Sequence, residues 1–162
     1  MSDNGSTLKP AAQRVAVAAR ALGLDIEVRT MSQSTRTAEE AAAACGCAVG
    51  QIVKSLVFRG KETGKPYLLL VSGSNRVNEK AVGKIIGEAL QRPDAHYVRD
   101  ITGFAIGGIP PIGHASRLTT YMDGDLLQYE VVWAAAGTPE SVFPVAPADL
   151  RDKAGAEVIA VN

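Results

Sequence analysis

The stretch Gln51-Ile-Val-Lys-Ser-Leu-Val-Phe-Arg59 decides the fold, because it is rich in β-favouring residues and carries apolar side chains on both faces of a strand. A second β-rich run, Tyr67 to Ser72, follows the polar segment Gly60-Lys-Glu-Thr-Gly-Lys-Pro66. Two such runs joined by a polar loop predict an antiparallel hairpin. Apolar residues on both faces of the first strand indicate a central position in the sheet.

Helices are predicted on either side of this hairpin. Val15, Ala18, Ala19 and Leu22 recur at helical spacing between Pro10 and Gly23. A capping box, Thr37-Ala-Glu-Glu40, begins a second helix that runs to about Cys45. The predicted helices are 10–22, 38–45, 79–86 (capped by Asn78), 93–102 and 148–153, and further strands are expected at 26–30, 118–122, 130–135, 141–145 and near Val158.

The mixture of hairpins and helices predicts an α+β fold. We expect a mixed, mostly antiparallel sheet, curled and barrel-like, with flanking helices. The chain has 162 residues, which fits a single domain. We place that domain at residues 10–162 and expect residues 1–9 to form a frayed polar tail.

Charge limits the classes of partner. Lys and Arg together number 17, as do Asp and Glu, so the net charge is zero and a protein that coats nucleic acid by bulk charge is excluded. Residues 51–100 nevertheless carry four more basic than acidic side chains. That excess is either chance scatter on a solvated surface or the mark of an anionic partner.

The two cysteines, Cys45 and Cys47, are too close in sequence for an ordinary structural disulfide and form a poor zinc half-site. Reduced thiols are typical of the cytosol. With two histidines in the chain, a multi-histidine metal centre is excluded, and we expect neither metal nor cofactor. The apolar run 10–24 is too short to span a bilayer, and no signal peptide is expected, so we expect a cytoplasmic protein that binds neither membrane nor DNA.

Lys54 is a charged residue at a position where the strand pattern predicts apolar surroundings. Strand alternation places it on one face with Ile52, Leu56 and Phe58. An ammonium group among apolar side chains is costly unless it is paired or used in a function. Lys54 is therefore either a functional lysine or one whose stem packs while its ammonium reaches water.

The segment Gly103-Phe-Ala-Ile-Gly-Gly-Ile-Pro-Pro-Ile-Gly113 is too rich in Gly and Pro for a helix or central strand. Its glycines let backbone N–H groups approach a ligand, and Pro110 and Pro111 stiffen it. Such a loop can hold an ester carbonyl or its oxyanion, or it is simply a rigid connection. Nearby, Asp123 caps a short helix by default, and His114 is a candidate proton carrier.

Several motifs stand in order along the chain. They are Ser34-Thr-Arg-Thr-Ala-Glu-Glu-Ala-Ala42, Gln51 to Phe58, Ser72-Gly-Ser-Asn-Arg-Val-Asn78, Thr102 to His114, Tyr121-Met-Asp123 and Trp133-Ala-Ala-Ala-Gly137. In this order and spacing the chain resembles, from about residue 12 to residue 150, the YbaK and prolyl-tRNA synthetase-associated editing domains. Free-standing members of that family remove wrong amino acids from charged tRNA.

The resemblance implies a mixed α/β fold with a central pocket. It implies that Lys54 is the family's functional lysine, that residues 107–113 form the substrate loop and that Asp123 is the pocket aspartate. The catalytic set expected on this basis is Lys54, Gly107, Gly108, Ile109 and Asp123. The substrate-binding residues expected are Thr35, Arg36, Thr37, Ser72, Gly73, Pro110, Pro111, Gly113, His114, Ala135 and Gly137.

The implied function is that of a trans-editing aminoacyl-tRNA deacylase. Its substrate would be a small wrong amino acid (Ala, Ser, Thr or 2-aminobutyrate-like) on mischarged tRNA, with tRNA-Pro the first candidate. Ala135 stands where the cysteine-clearing branch has a serine, which weakens a cysteinyl-tRNA assignment. The partners implied are the acceptor end of aminoacyl-tRNA and, as a candidate, prolyl-tRNA synthetase.

Two other functions stay open. The chain could be a non-catalytic module that binds aminoacyl-tRNA. Alternatively, Lys54 could form a Schiff base with a small carbonyl substrate.

Overall fold

The computed structural model describes residues 8–162. The helices are α1 (Pro10–Leu22), α2 (Ala38–Cys45), α3 (Glu79–Ile86), α4 (Ala95–Thr102) and α5 (Pro147–Ala154). The strands are β1 (Arg29–Thr30), β2 (Ile52–Gly60), β3 (Pro66–Ser72), β4 (Leu90–Gln91), β5 (Thr119–Asp123), β6 (Val132–Ala135), β7 (Ser141–Val145) and β8 (Glu157–Ile159). Short 3-10 helices cover Val49–Gln51 and Gly124–Gln128.

The eight strands form one mixed sheet in the order β1-β7-β6-β2-β3-β5-β8, and β4 pairs with the end of β2. The predicted hairpin is present, since β2 and β3 are antiparallel with Val53 opposite Ser72. Strands β6 and β5 run parallel to their neighbours β2 and β3. The predicted α+β class is confirmed, and the sheet is open, because β1 and β8 lie at opposite ends of the strand order.

Strand β2 has an unpaired edge in its middle. On that side, among the described residues, β6 pairs with it only at Ile52 and Val53. Farther along, β4 pairs only at Arg59 and Gly60. Residues 54–58 therefore leave one strand edge open, which we call the open edge.

Helices cover both faces of the sheet, with α1, α4 and α5 on one face and α2 and α3 on the other. Side chains of β2 alternate between the two. Val53 and Val57 join the core under α1, whereas Ile52 and Phe58 join the clusters on the opposite face. The predicted central position of β2, apolar on both faces, is confirmed.

The predicted capping box begins α2. The Thr37 hydroxyl accepts a hydrogen bond from the Glu40 N–H, and the Glu40 carboxylate accepts one from the Thr37 N–H, both at 3.1 Å. The helix ends at Gly46, whose φ of 68° satisfies the left-handed C-cap. This cap fixes the backbone at Thr37.

The tip of the β2–β3 hairpin is anchored by Glu88. Its carboxylate accepts hydrogen bonds from the Tyr67 hydroxyl (2.6 Å), the Thr63 hydroxyl (2.7 Å) and the N–H groups of Glu62 and Thr63 (3.0 Å each). A side chain at Gly60 would collide with this carboxylate, so glycine is required there by close approach. The bond from Tyr67 is the main reason that the pKa of Glu88 falls to about 2.

Several predicted boundaries were wrong. Strand β6 begins at Val132 rather than at residue 130. Helix α4 begins at Ala95 rather than Pro93, because the Asp94 side chain accepts the Tyr97 N–H at 2.8 Å and caps the helix. The predicted strand 26–30 is reduced to Arg29–Thr30, since Ile26 packs against the core instead of pairing. The two-residue strand β4 was not predicted.

The start of the described chain is packed rather than free. Leu8, which the sequence analysis places in the tail, is buried in the core under α1, and the Lys9 ammonium lies 3.4 Å from the Glu140 carboxylate. The rest of the predicted tail, residues 1–7, lies outside the described residues. Within residues 8–162, no helix combines the length and the hydropathy needed to cross a membrane.

Candidate functional site

A cavity of about 430 Å³ lies at the open edge of β2. Because the edge has no strand neighbour here, side chains from both faces of β2 reach the cavity. The start of α2, the loop after α4 and strand β6 complete its walls. Its lining includes Thr35, Arg36, Thr37, Lys54, Ser55, Arg92, Pro93, Val98, Gly107, Ile109, Trp133 and Ala135.

The peptide groups of the open edge also face this space. At one end of the hairpin the Gly73 N–H donates to the Ile52 carbonyl at 2.8 Å, and at the other the Gly60 N–H donates to the Lys65 carbonyl at 2.9 Å. In an antiparallel pair, every second residue bonds to the partner strand. Ser55 and Val57 therefore direct their N–H and C=O groups away from β3 and towards the cavity.

Lys54 lies in the cavity wall, half-buried, on the same strand face as Leu56 and Phe58. Its ammonium donates a hydrogen bond of 2.6 Å to the Asn75 carbonyl. Burial is the main cause that lowers the pKa of Lys54, and the positive charge of Arg76 adds to this shift. The negative charges of Glu39 and Asp123 oppose it. An ammonium has three N–H donors, so two remain for a ligand.

Asp123 does not line the cavity, although the resemblance implied a pocket aspartate there. It is 2% exposed, and its carboxylate accepts hydrogen bonds from the Ser72 N–H (3.1 Å) and the Asn75 side-chain amide (2.8 Å). Its second oxygen accepts the Asp125 N–H at 2.9 Å and so caps the 3-10 helix Gly124–Gln128. Asp123 therefore holds the turn that supplies the carbonyl partner of Lys54.

Ser72 and Gly73 belong to that same turn and also lie outside the lining. The Ser72 hydroxyl donates to the Gly50 carbonyl at 2.7 Å. A side chain at Gly73 would collide with the Val49 carbonyl. Both residues shape the support of Lys54 rather than the cavity wall.

The glycine loop reaches the cavity through Gly107 and Ile109. Between them, Gly108 is buried, its N–H donates to the Ala105 carbonyl at 3.2 Å and its carbonyl accepts the Gly137 N–H at 2.8 Å. The Gly108 N–H is thus committed within the protein. At Gly107, φ is +102° and a Cβ would lie 3.1 Å from Arg36 Nε, so only glycine fits without strain.

The rest of the loop packs away from the cavity. Pro110 and Pro111 are buried, and His114 Nε2 lies 2.7 Å from the Pro110 carbonyl oxygen. Burial lowers the pKa of His114. A Cβ at Gly113 would lie 3.0 Å from Ala18 of α1, and one at Gly137 would lie 2.7 Å from the Ala11 carbonyl oxygen. None of these five residues, which were expected to bind substrate, is in the lining. Gly113 and Gly137 instead pack the loop and the end of β6 closely against α1.

Several lining residues were absent from the sequence-based candidates, among them Arg92, Pro93, Trp133 and Ser55. Arg92 and Pro93 come from the connection between β4 and α4, which no motif marked. Trp133 begins the motif Trp133-Ala-Ala-Ala-Gly137, of which only Ala135 and Gly137 were expected to bind substrate. Ser55 follows Lys54 directly, and strand alternation placed it on the opposite face.

The chemical character of the lining is cationic and apolar. Within the described residues the lining includes Lys54, Arg36 and Arg92, and contains neither a carboxylate nor an imidazole. Arg36 and Arg92 are exposed, and the Arg92 guanidinium pairs with Glu79 at 2.9 Å. Chemistry here would rest on positioning and charge rather than on a side-chain general base.

The cysteines lie outside the lining and are free thiols. Burial is the main cause that raises the pKa of Cys45 to about 11. A thiol with such a pKa is protonated at neutral pH and a poor nucleophile.

Comparison with known proteins identifies the family. The family model of the aminoacyl-tRNA editing domain matches residues 32–153. A crystal structure of a candidate trans-editing enzyme for prolyl tRNA synthetase is 47% identical, with a TM-score of 0.91 over 96% of this chain and 99% of that one.

Two curated bacterial proteins are more distant. The uncharacterized protein YwhH of Bacillus subtilis is 29% identical over 66% of this chain and 68% of its own length. EbsC of Enterococcus faecalis, named as a candidate Cys-tRNA(Pro)/Cys-tRNA(Cys) deacylase, is 29% identical over 63% of this chain and 62% of its own length. With the family model covering well over half of its residues, the chain belongs to the aminoacyl-tRNA editing domain family.

Proposed function

We propose that the protein is a trans-editing aminoacyl-tRNA deacylase that hydrolyses the ester between a small amino acid and the terminal ribose of tRNA. The observation that carries the proposal is the meeting of Lys54 with Gly107 and Ile109 in the wall of one cavity. Its volume of about 430 Å³ is in the usual range for small-molecule sites. The space suits an aminoacyl group with part of the terminal nucleotide.

In the proposed reaction, water adds its oxygen to the ester carbonyl carbon, and a tetrahedral oxyanion forms. The bond between that carbon and the ribose oxygen then breaks, and the ribose oxygen takes a proton. The neighbouring ribose hydroxyl relays this proton from the attacking water, since the lining supplies no carboxylate or imidazole. The products are the free amino acid and uncharged tRNA.

The protein groups stabilise charge in this scheme. We assign the stabilisation of the oxyanion to the N–H groups of Gly107 and Ile109 and to the free donors of Lys54, because all three residues line the cavity. Donors preorganised towards developing charge typically contribute about 10²–10³-fold each to a rate. Asp123 acts as a positioning residue, because it holds the Asn75 turn on which Lys54 rests.

The mouth of the cavity fits a polyanion. Arg36 and Arg92 line it and are exposed, so their guanidinium groups are accessible to the phosphates next to the terminal ribose. The acceptor end of tRNA carries such phosphates. We propose tRNA-Pro as the tRNA, on the similarity to the candidate trans-editing enzyme for prolyl tRNA synthetase, and the synthetase itself as a candidate partner.

The test is release of amino acid from tRNA-Pro charged in turn with alanine, serine, threonine, 2-aminobutyrate and cysteine. We expect rapid release of one or two small amino acids by the wild type and spontaneous rates with Lys54→Ala. Cysteine belongs in the panel because the relative EbsC is named as a candidate deacylase of Cys-tRNA(Pro). Binding of every ester without release from any would overturn the proposal and favour a non-catalytic binding module.

A further inference from the structure

A second cavity, of about 580 Å³, lies between α3 and the tip of the β2–β3 hairpin. We call it the lysine groove, because Lys61 of the hairpin tip and Lys80 and Lys84 of α3 line it. All three lysines are exposed, and none of them forms an ion pair within residues 8–162. Three uncompensated cations therefore share one depression of the surface.

The two carboxylates that line the lysine groove are already bound to other groups. Glu88 is buried and accepts four hydrogen bonds from the hairpin. Glu79 pairs with Arg92 at 2.9 Å. Arg92 and the three lysines against these two carboxylates leave a net charge of +2. All four cations belong to residues 51–100, the segment with the excess of basic side chains.

The lysines of α3 are not placed where both would stabilise the helix. Lys80 is the second residue of the helix, near its N-terminus, where a positive charge is unfavourable. Lys84 lies in the last turn and suits the helix dipole, but it follows Lys80 by four residues, and like charges at that spacing repel each other. Helix stability therefore gives no reason for this pair, whereas a polyanion that lies in the groove does.

The lysine groove adjoins the mouth of the first cavity. Leu90 lines the groove and Arg92 lines the cavity, and two residues of extended chain span roughly 7 Å. The ion pair between Glu79 and Arg92 bridges the two spaces, because Glu79 lines the groove. The Arg92 guanidinium lies 5.7 Å from the centroid of the Phe58 ring, on the sheet face that α3 covers. A strand of nucleic acid that leaves the cavity past Arg92 therefore reaches the lysines next.

We propose that the lysine groove binds the backbone phosphates of the tRNA beyond its terminal nucleotide. The inference rests on the proposed deacylase function and gives the substrate a second contact surface, outside the cavity. Arg36 and Arg92 contact the phosphates at the mouth, and the three lysines contact those that follow along the chain. A lysine ammonium binds phosphate as a point charge and reads no base. The groove therefore contributes affinity for the tRNA and not the choice of amino acid.

The test compares Lys80→Gln/Lys84→Gln with the wild type on a long and a short substrate. The long substrate is tRNA-Pro charged with the amino acid that the wild type releases fastest, and the short one is the same amino acid esterified to adenosine. On the charged tRNA we expect kcat/KM to fall at least about tenfold at about 0.1 M salt, through a higher KM. On the adenosine ester, which has no phosphate, the two proteins should not differ.

Salt dependence provides a second readout, measured as the Kd for uncharged tRNA-Pro. Each lost phosphate contact lowers the slope of log Kd against log salt concentration by about 1. We therefore expect the slope to fall by about 2 in Lys80→Gln/Lys84→Gln and by about 1 in Lys61→Gln. The melting temperature of the double variant should equal or exceed that of the wild type, because the variant removes a repulsive pair.

The matched control is Arg20→Gln/Lys153→Gln. Both residues are exposed, lie on α1 and α5 across the sheet from α3, and line neither cavity. This variant loses two positive charges, as the test variant does, so the two proteins have the same net charge. The control should keep the wild-type KM, Kd and salt slope.

Four outcomes overturn the inference. An unchanged salt slope in Lys80→Gln/Lys84→Gln would remove the groove from tRNA binding. An equal loss in the control variant would assign the effect to net charge, and an equal loss on the adenosine ester would assign it to the cavity. Binding to vesicles of anionic phospholipid that needs the lysines, with tRNA binding intact without them, would assign the groove to a membrane surface.

Failure of the proposed function would be seen separately, as the absence of release from any charged tRNA. The salt slope with uncharged tRNA-Pro then decides the inference by itself. A slope that falls by about 2 in Lys80→Gln/Lys84→Gln but not in the control keeps it. Equal slopes overturn it.

Discussion

The Lys54 ammonium lies 2.6 Å from the Asn75 carbonyl oxygen, and the side chain of the same asparagine lies 2.8 Å from the buried Asp123 carboxylate. The cation in the cavity is therefore held by a turn, and the turn by a carboxylate that does not line the cavity. Two kinds of substitution follow from this chain of contacts. One removes the cation, and the other loosens its support.

Removing the cation should abolish most of the activity while the fold persists. We expect Lys54→Met, which keeps an apolar stem of similar length, to lower the single-turnover rate of deacylation by about 10²–10³-fold. Its melting temperature should equal or exceed that of the wild type, because burial disfavours the ammonium. An unchanged rate with Lys54→Met would remove this residue from the mechanism.

Weakening the contact between Asp123 and the Asn75 turn that supports Lys54 should alter the pH dependence of deacylation. One oxygen of the Asp123 carboxylate accepts hydrogen bonds from the Ser72 N–H and the Asn75 side chain, and the other accepts the Asp125 N–H. In Asp123→Asn an NH₂ group replaces one of these two acceptors, so one set of donors loses its partner. We expect kcat to fall between about ten- and a hundredfold with KM little changed. The negative charge of Asp123 raises the pKa of Lys54. Its removal lowers that pKa, so the alkaline limb of the pH–rate profile should move to lower pH.

The control for this variant is Asp125→Asn. Asp125 also accepts from the Asn75 side chain at 2.8 Å, but it is exposed and does not contact Ser72. Its alkaline limb should stay in place. A shift of equal size in both variants would contradict a specific role for Asp123.

Comparing substitutions at Gly107 of the glycine loop and at Gly87 should distinguish an effect on activity from an effect on stability. Gly107→Ala places a side chain at a φ of +102° and 3.1 Å from Arg36 Nε, whereas Gly87→Ala meets the same backbone strain at a φ of +110° with nothing nearby. Each should cost roughly 1–2 kcal/mol of unfolding free energy. We expect only Gly107→Ala to slow deacylation, by at least about tenfold. Chemical denaturation and single-turnover assays on both variants check this.

Glu88 should set part of the acid stability. Its pKa is about 2 in the folded chain against an ordinary 4.5, so its contribution is complete above pH 4.5 and disappears as the pH falls towards 2. Glu88→Gln should lower the melting temperature at pH 7 by several degrees. The difference between wild type and variant should shrink as the pH falls from 4.5 to 2. A constant difference over that range would show that the carboxylate's charge is not what anchors the hairpin.

Local signals in the sequence predicted most of the fold. Helix α1 lies between Pro10 and Leu22 as expected, because proline and the glycine that follows mark its ends, and Thr37 with Glu40 sets the start of α2. What failed depends on pairing between distant segments. Strand β4 has two residues and exists only because Gly60 and Leu90 pair across the sheet.

Of the residues that line the cavity, the sequence pointed to Lys54 and the glycine loop but not to Arg92 or Ser55. Lys54 is an ammonium on an apolar strand, and the loop before Gly113 is too rich in glycine for regular structure, so both could be found from residue type alone. Arg92 and Ser55 reach the cavity because β6 and β4 leave a gap between them. No local pattern reports such a gap. For the same reason the sequence could not place Asp123 behind the lysine rather than beside the substrate.

The open edge of β2 gives the cavity polar groups that belong to the main chain. Side-chain substitutions around it can change which acyl group fits, while the peptide donors and acceptors at residues 55 and 57 persist in any sequence that lacks proline there. An evolving lineage can thus exchange one substrate for another without rebuilding its polar framework. In such a cavity the side chains determine which acyl group is accepted and can vary. The main-chain N–H and C=O groups that bind the polar part of a ligand are retained with the fold.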